Sequence, residues 1–302
     1  MDRVAVGDIE LCYDLVGRRG DPLIVLVHGL AGALVSWDDE LLERFVDEGF
    51  AVLRFDNRDS GHSTILDGAP RFDLDAARRG DRSVVTYTLD DMADDTAGLL
   101  GALDLGPAHL VGVSLGGMIA QATTVQHPEA VRSLCSIMST TGAGDVGMPT
   151  PQAGPVLVRP PAVDRQGFVA QELENQAIVG SSDPQLVDVA WRRARFERIY
   201  DHGIHPRGTG RNLMAIAASG DRTASLATIS VPTLVVHGEA DPLIAVSGGE
   251  ATARAIPGAR LLVLPGLGHE LPPAVWPELV AAVVANARSG EELAASRAGA
   301  TR

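Results

Sequence analysis

Residues 109–122 read His109-Leu110-Val111-Gly112-Val113-Ser114-Leu115-Gly116-Gly117-Met118-Ile119-Ala120-Gln121-Ala122, and Gly112–Gly116 form the pattern G-x-S-x-G. The apolar run before Ser114 reads as a short strand, and the stretch after it reads as a helix. A serine on so sharp a strand-to-helix turn has a strained backbone that lifts its Oγ clear of the sheet. The flanking glycines are expected where a Cβ would collide with a neighbouring strand or helix. The helix start aims free N–H groups and a partial positive charge at any oxyanion formed beside the serine. Alone, the pentapeptide is weak evidence, because glycine is abundant in this chain (33 of 302 residues).

Three further stretches support it, in a fixed order along the chain. Leu23-Ile24-Val25-Leu26-Val27-His28-Gly29-Leu30 is a buried parallel strand ending in a sharp His-Gly turn. The N–H of Leu30 is one candidate oxyanion donor, and that of Leu115 is the other. Pro232–Pro242 is a second such strand, with Asp241 in the loop just past its end. Arg260–His269 is a last strand followed by a Gly-rich loop and a histidine. Ser114, Asp241 and His269 therefore occur in the order nucleophile, acid, base.

With this order and these motifs, the chain resembles the α/β-hydrolase-fold serine esterases over roughly residues 1–285. Asp56-Asn57-Arg58-Asp59-Ser60-Gly61-His62-Ser63 occupies the place of that family's D-x-R-G-x-G-x-S loop, departing from it at Asp59, where most members have glycine. The R-D-S-G loop, with Gly268-His269-Glu270-Leu271-Pro272, resembles the aclacinomycin methylesterase branch, which demethylates a polyketide methyl ester. The resemblance implies an α/β fold with a mostly parallel, eight-stranded sheet flanked by helices and a mainly helical cap inserted after strand six. It implies a triad of Ser114, Asp241 and His269, an oxyanion hole from Leu30 and Leu115, and no cofactor or metal.

Composition bounds the partners. The formal net charge is −14, which argues against nucleic acid and anionic membranes. The chain has no lysine, which excludes a lysine base or Schiff-base chemistry. Two cysteines, Cys12 and Cys135, do not make a disulfide framework, and Cys135 is expected as an inert core thiol. The N-terminus opens onto strands with no signal-like run, and no apolar stretch reaches membrane-spanning length, so a cytoplasmic location is expected. The expected partner is a small-molecule ester, and the chain is expected to be a monomer or homodimer.

Periodicity divides the chain into a core of residues 1–139 and 228–288, a cap of 140–227 and a flexible tail of 289–302. Residues 3–14 read as a hairpin turned at Gly7-Asp8. Strands are expected near 24–27, 51–55, 109–113, 133–138, 233–237 and 261–264. Helices are expected over 38–48, 89–105, 115–127, 247–256 and 274–287, and residues 66–86 read as a surface loop. Regularity fails from Ser139 to about Ala227, where 164–180 and 183–202 read as helices. A segment that long between two sheet strands is no plain connection.

Several residues have a structural reading beside a functional one. His28 stands next to the oxyanion turn but is expected to brace the loop rather than act as base. His202 and His205 are expected as exposed cap residues, since no metal-binding constellation accompanies them. Trp191, Phe196 and Tyr200 are expected to pack the cap rather than stack on substrate. Asp56 and Arg58 are expected as a buried bracing pair. The rival acid position after the sixth strand offers no carboxylate before Asp145. The expected chemistry is ester hydrolysis through an acyl-enzyme. Perhydrolysis, C–C bond hydrolysis and ligand reception on the same scaffold stay open.

Overall fold

A computed structural model describes residues 1–66 and 72–300. The chain opens with the hairpin β1 (Asp2–Val6) and β2 (Ile9–Val16), turned at Gly7 with φ +56°. Then come β3 (Leu23–Val27), α1 (Asp39–Asp47), β4 (Ala51–Phe55), α2 (Leu74–Arg78), α3 (Leu89–Ala102), β5 (Ala108–Val113), α4 (Leu115–Gln126) and β6 (Val131–Ile137). The insertion carries α5 (Arg165–Val179), α6 (Val189–His202), α7 (Pro206–Ser219) and α8 (Thr223–Leu226). The sheet resumes with β7 (Thr233–Gly238), α9 (Val246–Ala255), β8 (Arg260–Leu264) and α10 (Trp276–Ala300).

The eight strands lie in the order β1-β2-β4-β3-β5-β6-β7-β8, parallel from β4 to β8 and antiparallel only at β1 and β2. This is the mostly parallel, eight-stranded sheet that the family resemblance implies. In β3 every residue is buried, because both faces are covered: Leu23, Val25 and Val27 pack toward α3 and α4, while Ile24 and Leu26 pack toward α1 and α10. The same alternation continues in β4, where Leu53 and Phe55 face one layer and Val52 the other. Strand order reverses around β3. The loops holding Leu30, Asp56, Ser114, Asp241 and His269 all leave the C-terminal ends of parallel strands, so they converge on one edge of the sheet.

The boundaries follow local chemistry. In α3, Asp91 accepts from the Thr88 N–H at 2.7 Å, closing a capping box. In α5, Asp164 accepts from the Gly167 N–H at 2.8 Å. The second expected helix of the insertion begins later than its sequence suggests. Asp183 caps only a short 3-10 turn, Pro184–Leu186, and Asp188 caps α6. Helix α7 was not expected; its apolar positions are interrupted by Gly208 and Gly210, which hide a helical period.

Two other expectations are corrected. Where a flexible tail was expected from residue 289, α10 runs on through Ala300. The run from Ser289 to Ala300 holds four alanines, two glutamates, a leucine and an arginine, good helix formers that need no core contact to continue a helix already nucleated. At Gly290 a Cβ would meet the Arg132 carbonyl oxygen at 2.7 Å, so the helix lies against the start of β6. Within the expected surface loop 66–86, α2 buries Ala76 and Ala77. Residues 67–71 of that loop lie outside the described residues.

Candidate active site

Ser114 joins β5 to α4 with φ +57° and ψ −118°, a backbone that side chains other than glycine rarely adopt. The surrounding packing holds it there. Its N–H donates to the Ile137 carbonyl at 2.9 Å, and the Ser139 Oγ donates to its own carbonyl at 2.9 Å. The flanking glycines are required by contact: a Cβ on Gly112 would stand 2.1 Å from the Gly116 carbonyl oxygen, and one on Gly116 would stand 2.1 Å from that of Val27. The expected collision with helix and strand is thus borne out at both positions.

Asp241 and His269, 28 positions apart in sequence, meet here: His269 Nδ1 lies 2.7 Å from Asp241 Oδ2. A carboxylate only accepts, so Nδ1 carries the proton and Nε2 keeps its lone pair. The other oxygen, Oδ1, accepts from the N–H groups of Leu243 at 2.9 Å and Ile244 at 3.0 Å. His237 donates to the Ile244 carbonyl at 2.8 Å, tightening the same loop. Glu239, two residues from Asp241, is exposed.

Ser114, His269 and Leu30 line one cavity of about 1190 Å³. Leu115 is buried and opens α4, so its N–H has no carbonyl one turn behind it to bond. The cavity wall is drawn from the core loops and from α5, α6 and α7. Leu66 and Phe72, from the β4–α3 connection, line it as well. A smaller hollow of about 460 Å³, lined by Arg3, Glu10, His62 and His202, contains none of Ser114, Asp241 or His269.

His28 is fully buried, and its ring braces two loops. Its Nε2 accepts from the Asn57 N–H at 3.0 Å, so the proton sits on Nδ1 and is donated to the Gly29 carbonyl at 2.8 Å. Burial pushes its pKa down. A neutral imidazole with both nitrogens engaged fits the bracing reading.

The loop after β4 corrects two expectations. Asp56 and Arg58 do not pair: Arg58 forks onto Asp95 at 2.6 and 2.7 Å. Asp56 instead accepts from the N–H groups of Leu34 and His62 and faces His202 Nε2 at 2.8 Å. His202 is therefore buried, not exposed, and His205 is half-buried with Nε2 2.8 Å from the Gly61 carbonyl. Both histidines tie the insertion to this core loop, a distant pairing with no signature in sequence. Burial raises the Asp56 pKa, but the bonds from His202 and the Leu34 N–H outweigh it and hold the carboxyl below its ordinary range. Asp59 has φ +68°, which accounts for the glycine usual at this place. As aspartate it gains two bonds from Arg211 of α7, at 2.7 and 2.6 Å, and one from the Tyr87 hydroxyl at 2.7 Å.

Phe196 packs with Phe168, Val169 and Ile199 inside the insertion, as expected, with Tyr200 at its edge. Phe196 and Trp191 also face the cavity. Sequence reasoning assigned no role to three residues at the site. Glu270, next to His269, forms a buried ion pair with Arg192 of α6, and Arg195 faces the cavity. Neither arginine stands in a motif.

Cys135 is buried in β6, and burial pushes its thiol pKa up, out of reach of nucleophilic chemistry near neutral pH. Among the described residues no helix is long and apolar enough to cross a membrane.

Residues 22–272 match the family described as the alpha/beta hydrolase fold. Rhodomycin D methylesterase of Streptomyces sp. (strain C5) is 26% identical, the match covering 93% of this chain and 96% of the relative. The rhodomycin D methylesterase of Streptomyces peucetius is 25% identical over the same shares. Among solved structures, a hydrolase from Pseudomonas aeruginosa PA01 is 27% identical and superimposes with a TM-score of 0.71, covering 94% of this chain and 97% of that one. With a match over most of its length and the sheet topology described above, this chain belongs to the α/β hydrolase fold family.

Proposed function

We propose that the protein hydrolyses a carboxylic ester of a small organic molecule, with Ser114 as nucleophile, His269 as base and Asp241 as the acid that orients it. The observation that carries this reading is the 2.7 Å bond between His269 Nδ1 and Asp241 Oδ2, at the wall of the cavity that Ser114 also lines. The bond leaves Nε2 free to take the Ser114 proton as Oγ attacks the ester carbonyl. The carbonyl π pair moves onto oxygen, where the Leu30 and Leu115 N–H groups would stabilise it. Collapse expels the alcohol, which leaves with the proton from His269 and gives acyl-Ser114. Water then gives a proton to His269 and attacks the acyl carbon. Ser114 recovers that proton as the acid departs.

The insertion over residues 140–227 acts in this reading as the cap that selects the substrate. A methyl ester of a polyketide-like acid is the finer reading. Its support is the similarity to the two rhodomycin D methylesterases and a cavity roomy enough for a polycyclic substrate.

The test is turnover of short-chain, aryl and methyl esters, combined with labelling by an activated phosphonate and mass mapping of the adduct. The expected result is a Ser114 adduct, hydrolysis of at least one ester class, and loss of both in Ser114→Ala. Labelling without turnover of any ester would convert the reading to a ligand receptor. Turnover within about tenfold of wild type in Ser114→Ala would remove the nucleophile assignment.

A further inference from the structure

Most charges facing the cavity are committed to partners. Asp38 pairs with Arg198 and accepts from Trp191 Nε1 at 3.1 Å. Glu270 is held by Arg192, and Asp59 by Arg211. Arg159 donates to Asn175 and to Glu174. Glu172 accepts from Asn175 Nδ2 at 3.2 Å.

Arg195 differs. Among the described residues nothing hydrogen-bonds or ion-pairs with its guanidinium, which lies over the rings of Trp191 at 6.0 Å and Phe196 at 5.7 Å. Arg207 also lines the cavity without an ion pair, but it is exposed to bulk water, where an unpaired cation costs little. Arg195 is half-buried and lines the cavity. Burial pushes its pKa down, with Asp38, Glu270 and Glu172 working the other way. As an arginine it stays charged at neutral pH.

Arg195 follows Arg192 by three residues on α6, so the two share a helix face, and Arg192 reaches the residue beside His269. Arg195 lines the same cavity as Ser114 and His269. Desolvating a cation without a partner is unfavourable, and such an arrangement is stabilised when a ligand brings the missing anion.

We propose that Arg195 anchors a carboxylate on the substrate, so that the preferred ester is a half-ester of a dicarboxylic acid, one end ionised and the other reacting at Ser114. This rests on the ester-hydrolase reading above. The planar fork of a guanidinium matches a carboxylate through two parallel N–H bonds, which fixes orientation as well as affinity. The guanidinium lies against the rings of Trp191 and Phe196, and all three residues line the cavity that holds Ser114. The competing reading is that Arg195 only balances Asp38, Glu270 and Glu172 from within the protein.

The test compares monomethyl esters of the straight-chain diacids, from succinate to suberate, with uncharged isosteres in which an isopropyl end replaces the carboxylate. Wild type is expected to favour the acid member by about tenfold or more in kcat/KM at its best chain length, the size of one strong charge-assisted contact. Arg195→Gln should erase that preference mainly through KM, with the uncharged ester changed less than about threefold, and Arg195→Lys should restore part of it. Equal losses for both ester types in Arg195→Gln would overturn the proposal. So would the absence of any acid preference in wild type, a result that needs no variant to fold. Calorimetric binding of the free dicarboxylates separates the two readings. Binding that requires Arg195, without turnover of any ester, would keep the anchor and remove the hydrolase. Turnover of uncharged esters with no acid preference would do the reverse.

Discussion

Arg192, in the helix that begins at Val189, and Glu270, the residue after His269, form a buried two-point ion pair: Nε to Oε2 at 2.9 Å and Nη2 to Oε1 at 2.5 Å. Both side chains are almost fully buried, at 7% and 2% exposure, so neither can turn to water if its partner is lost. The loop is tied to the insertion at further points. The His269 N–H donates to the Val179 carbonyl at 2.7 Å, and the Ser181 N–H donates to Glu270 at 2.7 Å. The proposed base is thus positioned by the insertion as much as by the sheet.

Removing one partner of this pair should be costly. Arg192→Met leaves a desolvated carboxylate beside His269 and is expected to lose about 3–5 kcal/mol of stability. Joint replacement, Arg192→Met with Glu270→Leu, should recover most of that stability in a denaturant titration. Esterase kcat should stay low in the double variant, because His269 has lost a tether. Recovery of kcat along with stability would show that the pair does not position the base.

Asp241→Asn should lose on the order of 10⁴ in kcat, because an amide can present its NH₂ to Nδ1 and favour the wrong tautomer. KM should move little. Ser114→Ala should fold normally in a thermal melt, since its backbone bonds to Ile137 and Ser139 do not use the hydroxyl. A mild Asp241→Asn would mean that another acid orients His269.

His28→Ala removes the acceptor of the buried Asn57 N–H and the donor to Gly29. Leaving such groups unpaired should cost about 1–3 kcal/mol each. The thermal midpoint should drop and KM should rise, with a kcat loss far smaller than that of His269→Ala. Equal loss in both variants at normal stability would make His28 the base.

Burial depresses the pKa of His28, His109 and His237, that of His109 to about 4. Arg132 pushes His109 the same way, and Glu291, 3.2 Å from His109 Nε2, is half-exposed, so its charge is screened. Unfolded histidine takes up a proton near pH 6.5, so between that value and the depressed ones the unfolded state binds more protons. Stability should therefore hold above about pH 7 and fall as pH drops below 6.5, by up to ~1.4 kcal/mol per pH unit for each histidine. His109→Gln should remove close to one proton from that linkage, read from midpoints between pH 8 and 4.5. A flat profile across this range would contradict the burial argument.

Trp191 and Phe196 face the cavity from α6. Truncating either should shift relative kcat/KM between bulky and small esters by about 1–3 kcal/mol, while a minimal acetate ester is nearly unaffected. A uniform fall for all esters would show that these rings serve only the packing around Phe168 and Ile199.

The order of elements was legible in sequence because each carries its own local signal. The mostly apolar runs at 23–27 and 233–237 read as strands buried on both faces, and the glycines around Ser114 mark backbone approach too close for a Cβ. Those signals determined the sheet, the turn at Ser114, and the loops on which Asp241 and His269 lie. The end of α10 was misread because small residues look like a frayed tail, although alanine is also the best helix former.

The rest was decided only by tertiary structure. Asp56 chose His202, 146 positions away, over its neighbour Arg58, and Arg58 chose Asp95. Arg192 found Glu270, 78 positions away, while Arg195, three residues on, was left facing the cavity with no protein partner among the described residues. A sequence names the charges but not their distances, and a charge's pairing energy is set by distance and by how much water remains between the groups. Only the packing of α6 against the loops after β4 and β8 fixes both quantities, and with them which arginine is a tether and which is free to meet a substrate.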